Sequence, residues 1–65
     1  MKTREAIAKA IDTRNAGLAG RIADTLRGRG FTYARVLEVF QEVRPQFTAS
    51  DFEELMAEAD ELETV

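Results

Sequence analysis

The apolar residues of this chain fall into short groups spaced like one face of a helix, and each group is ended by a breaker. Gly28 and Gly30 mark one break, Pro45 another and Thr13-Arg14-Asn15 a third. Within the groups the spacing follows a period near 3.6 rather than 2. The chain is therefore expected to be all-α: a single domain over residues 1–65, built as a small bundle of three to four short helices. Its length makes this demanding, because a domain near 60 residues buries only about 60% of its unfolded surface. The usual supplements are missing. There is no Cys for a disulfide and no His, so a zinc site would rest on carboxylates alone. Helix packing or self-association must supply the stability, and no cofactor or metal is expected.

The first segment, Thr3–Asp12, offers Ala6, Ile7, Ala10 and Ile11 as a narrow stripe. Ala favours the helix but grips a core weakly. The second, Asn15–Arg27, repeats Leu18, Ile22 and Leu26 with Ala19 and Ala23 beside them. These two segments read either as separate helices or as one bent helix. Gly17 and Gly20 each cost about 1 kcal/mol against Ala in a helix interior, so Gly20 is expected to serve a close approach of another helix. Gly28 reads as the left-handed cap that ends this segment.

The third and fourth segments, Tyr33–Arg44 and Ala49–Glu63, are each preceded by Phe-Thr. Thr32 and Thr48 are expected N-caps, accepting from orphan backbone N–H groups. Phe31 and Phe47 are placed to fold back on Val36 and Phe52 as hydrophobic staples. Ser50 followed by Glu53 offers an alternative cap two residues on. The units align at an offset of sixteen residues, which two amphipathic capped helices explain without a repeat. Tyr33, Val36, Leu37, Val39, Phe40 and Val43 span about 160° of the third helix, so it is expected to be central. The last two helices should form a helical hairpin or an angled pair. The expected core is Leu18, Ile22, Leu26, Phe31, Val36, Leu37, Val39, Phe40, Val43, Phe47, Phe52, Leu55, Met56, Ala59 and Leu62, centred on Phe40, with Tyr33 at its rim.

Charge is divided along the chain. Residues 1–35 carry eight basic and three acidic side chains, net +5; residues 36–65 carry one basic and nine acidic, net −8. The total of −3 conceals this split, which sets where polyanions and polycations are attracted. No apolar run reaches the roughly 18 residues of a membrane span, and no apolar stretch near the N-terminus reads as a signal peptide. A cytoplasmic location is the expectation.

Catalysis is not expected. Acid–base work at neutral pH favours His or a carboxylate with a raised pKa, and Ser50, the only serine, has no His or Cys to activate it. The acidic residues from Asp51 to Glu63 lie on a helix, without the Gly-containing loop of an EF-hand. Gly28-Arg29-Gly30 lacks the P-loop spacing.

Two binding readings remain. Ile22–Leu26, a Gly-containing turn, then Thr32–Leu37 resembles a helix-turn-helix DNA-binding motif over about fifteen residues. That resemblance implies that Thr32, Tyr33 and Arg35 face DNA while Arg21, Arg27 and Arg29 lie near phosphates. The connection from Arg27 to Phe31 is long for the motif, and Glu38 and Glu42 would repel phosphate. The other reading uses the carboxylates Glu53, Glu54, Glu58 and Glu61 as an acidic interaction face. That face would dock on a basic protein surface or on the basic half of another copy. The chain is thus expected to be a non-enzymatic protein–protein interaction or regulatory module. Self-association through oppositely charged faces is included, and a helix-turn-helix-like DNA-binding regulator is the alternative. The core assignment makes Phe40→Ala costly, by about 3–5 kcal/mol; a thermal melt should show most of the cooperative transition lost.

Overall fold

In the computed structural model, which describes residues 2–63, four α-helices and no strand occur among the described residues. They are α1 (Thr3–Thr13), α2 (Ala16–Gly28), α3 (Tyr33–Val43) and α4 (Ala49–Glu63). Among these residues no helix is long and apolar enough to cross a membrane.

Local chemistry sets the boundaries. The first two segments are separate helices joined through Arg14 and Asn15. Arg14 takes the left-handed conformation at φ 52°. The Asn15 N–H donates to the Ala10 carbonyl and the Arg14 N–H to that of Ile11, the bond pair of a Schellman motif. Asn15 then caps α2, its Oδ1 accepting from the Leu18 N–H at 3.1 Å. The end of α2 repeats the motif, with its left-handed residue two positions later than expected. Gly28 is helical, and Gly30 holds the left-handed position at φ 100°. The Phe31 N–H donates to Leu26 and the Gly30 N–H to Arg27. The left-handed cap is therefore Gly30 and not Gly28. This choice puts Phe31 where a Schellman motif brings its flanking apolar residue back against the helix.

Both threonine caps form. Thr32 Oγ1 accepts from the Arg35 N–H and Thr48 Oγ1 from that of Asp51, each at 3.1 Å. The Asp51 carboxylate accepts in return from the Thr48 N–H at 3.4 Å, a capping box that starts α4 at Ala49 and leaves the Ser50–Glu53 alternative unused. Phe47 lies edge-on to Phe52, ring centroids 6.2 Å apart, as a staple requires.

The core centres on Phe40 and Phe52, both fully buried, with rings 5.2 Å apart and edge-to-face. Tyr33 packs its ring on Phe52 from the rim at 5.1 Å, and Phe47 closes on Phe40 at 5.9 Å. Through these rings α3 meets α4. Three expectations change. The central helix is α2, whose backbone approaches α4 most closely and also α1 and α3. The first segment grips the core firmly, with Ile7 and Ala10 at zero exposure. Leu62 leaves the core, 61% exposed. Opposite it stands Gly17 near the start of α2, which has no side chain to cover it.

Small residues explain why α2 is central. Ala16, Ala19, Gly20 and Ala23 are all buried. Gly17 lies by Leu62 and Gly20 by Ala59, so α2 and α4 run antiparallel. A Cβ added to Gly20 would sit 2.8 Å from the Ala59 Cβ, closer than two methyl groups can pack. The glycines therefore separate by role. Gly20→Ala should lower the melting temperature although it gains about 1 kcal/mol of helix propensity, and Ala59→Gly in that background should recover part of the loss. Gly28→Ala, with nothing within 4 Å, should stabilise by about 0.5–1 kcal/mol. Gly30→Ala should destabilise by about 1–2 kcal/mol because φ is positive. Urea unfolding of the set checks all four signs.

Candidate functional site

Folding uses much of the charge split internally. Arg44, the only basic residue of the acidic half, forms a two-pronged pair with Asp12 of the basic half. Nε to Oδ1 is 3.0 Å and Nη2 to Oδ2 is 2.9 Å. Arg4 reaches Glu42 at 3.9 Å and Arg14 reaches Glu54 at 3.8 Å. Arg35 donates to Glu38 at 3.0 Å and to Glu42 at 3.4 Å. The two halves of the chain are thus tied through ion pairs at several points.

These ties redistribute the residues singled out from the sequence. Arg21, Arg27, Arg29, Thr32, Tyr33 and Arg35 are all exposed, but they do not form one surface. Thr32 spends its hydroxyl as a cap acceptor. Arg35 is held by two carboxylates, which raise its pKa through their hydrogen bonds, Glu38 first. Arg27 and Tyr33 line a cleft with Glu53, Met56 and Asp60. There desolvation first, then Glu53 and Asp60, push the Tyr33 phenol up, with Arg27 opposing. Arg21 and Arg29 share a separate groove, floored by Ala6, Ile22 and Leu26 and edged by Thr3 and Thr25, of about 170 Å³. Arg21 also borders the adjoining depression, together with Lys9 and Leu18. Lys9, Arg21 and Arg29 make no ion pair with any described residue. These three cations thus gather along the α1–α2 groove, while Arg27, also without an ion pair to a described residue, stands in the Tyr33 cleft at the start of α3. Lys9 is the member that sequence reasoning missed, and only its packing beside Arg21 singles it out.

The acidic face divides as well. Glu54 is paired with Arg14, and Glu53 faces the Tyr33 cleft. Glu58, Glu61 and the exposed Leu62 border a shallow depression at the far end of α4, beside Arg14 and Gly17. Among the described residues no group of three or more carboxylates is arranged to hold a metal ion. A further cleft of about 220 Å³ lies over Ile11, Phe47 and Leu55. Its charged rim is self-compensated, since Asp12 holds Arg44 there.

Comparison with protein families, with curated proteins and with solved structures returns no match for this chain. Its surfaces must be read from their own chemistry.

The Asp12–Arg44 pair yields a pH dependence. Hydrogen bonds from Arg44 hold the Asp12 carboxyl below its ordinary value, against some desolvation, with Coulombic attraction adding. A carboxylate lowered on folding stabilises the fold above its unfolded pKa, and that contribution is lost as pH falls through the folded value. Asp12→Asn should therefore melt below wild type at neutral pH, and the gap should close on acidification through the carboxylate range.

Proposed function

We propose that this chain is a non-enzymatic protein–protein interaction or regulatory module of the cytoplasm, binding through surfaces of opposite sign and taking a second copy of itself among its partners. One observation carries the reading: after the internal ion pairs are formed, charge of each sign is left over on a different face. Lys9, Arg21 and Arg29 remain along the α1–α2 groove and Glu58 remains at the far end of α4, without an ion pair to any described residue, whereas Glu53 and Asp60 share their cleft with Arg27. Such faces steer complementary surfaces together and add specificity more than raw affinity.

The helix-turn-helix reading has one observation in its favour. Four residues, 29–32, separate α2 from α3, within the three-to-four-residue turn of that motif. Against it, Arg35 and Thr32 are already engaged at the start of α3. Two measurements separate the readings. Average mass in solution across a concentration series should rise above the 7.3 kDa of the monomer and fall back as salt is added. A duplex-DNA gel shift should be absent at micromolar protein in about 50 mM salt. A shift that is lost steeply with salt, from a protein of constant mass, would favour DNA instead.

A further inference from the structure

We infer that the α1–α2 groove is the seat for the far end of α4 from a second copy, with Leu62 as the apolar anchor and Glu58 as its charged guide. The inference rests on the interaction-module reading and deepens it by naming both surfaces. The groove has the composition of a helix-binding seat: an apolar floor of Ala6, Ile22 and Leu26, with guanidinium groups of Arg21 and Arg29 at its edge. An acidic amphipathic helix end wants the arrangement present here, apolar in the middle and basic at the rim.

This chain carries such a helix end. Leu62 is the most exposed large apolar residue described, at 61% against 42% for Tyr33. Glu58 lies one turn before it on the same side of α4, and both border the same depression. Within one molecule Leu62 cannot reach the groove: it stands by Gly17 at the start of α2, whereas the groove flanks Leu26 and Arg29 at the end of that helix. The contact must therefore be intermolecular. Donor and acceptor are different surfaces, so the association is heterologous and continues into open chains or a ring.

The test uses two variants altered only at exposed residues, each checked for an unchanged helical spectrum and melt. Arg21→Glu/Arg29→Glu destroys the seat and keeps the α4 end; Glu58→Gln/Leu62→Ala destroys the α4 end, leaves it no positive charge to attract the altered seat, and keeps its own seat. Sedimentation equilibrium in low salt should show the wild-type mass growing with concentration beyond two chains. Either variant alone should associate at least about tenfold more weakly. An equimolar mixture of the two should recover association and stop at a dimer, because each partner then offers one intact surface. Leu62→Ala alone should weaken wild-type association without any change in net charge, which separates seating from general attraction.

Wild-type association that both variants retain would overturn the assigned surfaces while leaving the module reading in place. A wild-type protein that stays monomeric at millimolar concentration would overturn the inference together with the self-associating form of that reading. A mixture that stays monomeric would overturn the pairing of these two surfaces. A duplex-DNA shift abolished by Arg21→Glu/Arg29→Glu, with wild-type mass constant, would make the groove a polyanion site instead.

Discussion

The spacing of α2 and α4 depends on Gly20 having no side chain, and the rest of the bundle is arranged around that approach. With the Ala59 methyl facing bare backbone, the two helices come close enough for Ala16, Ala19 and Ala23 to be buried. A short chain cannot fill a wide interior with large side chains. It can reduce the interior to be filled, and a seam of Gly and Ala does so. The aromatic residues then occupy the remaining space on one side, where Phe40 and Phe52 meet edge-to-face and Phe47 closes over both. Ile7 and Ala10 of α1 complete the core on the other side.

Electrostatics is layered on this packing. The ion pairs across the two halves are mostly exposed, with Arg14 and Glu54 near 70%, and exposed pairs contribute about 0–1 kcal/mol each. Their consequence lies more in what they remove from the surface. Arg4, Arg14 and Arg35 are each matched to a carboxylate of the acidic half, so the basic half offers less free positive charge than its composition suggests. What is left is local, bordered by apolar groups, and suited to a particular partner rather than to any polyanion.

Much of the fold was legible because its signals are local. Thr32 and Thr48 announce helix starts within three residues of sequence, and α3 and α4 begin where those caps require. The close approach at Gly20 was legible as a cost that needed a reason. The choice between Gly28 and Gly30 was not, since either can adopt a positive φ and only the hydrogen bonds to Leu26 and Arg27 decide. The burial of Ile7 and Ala10 was not legible either. A small side chain becomes a core residue when its neighbour comes close, and that distance is a tertiary property. The candidate site was least legible for the same reason. Arg35 and Arg21 look alike in the sequence, yet one is bound by Glu38 and Glu42 while the other is left free beside Lys9 and Arg29.

Arg14 has a consequence for how the fold assembles. It occupies a left-handed conformation, φ 52°, that costs a residue with a Cβ roughly 1–2 kcal/mol. Its ion pair with Glu54, at 3.8 Å and largely in water, is too weak to offset that cost alone. The offset comes from the two cap hydrogen bonds and from the burial of Ile7 and Ala10 that the turn makes possible. A turn held in place by what it brings together does not persist by itself. Withdrawing α1 from the core releases the reason for the turn, and opening the turn withdraws α1. The first helix and its connection are therefore gained and lost as one unit, which ties the start of the chain to the cooperativity of the whole domain.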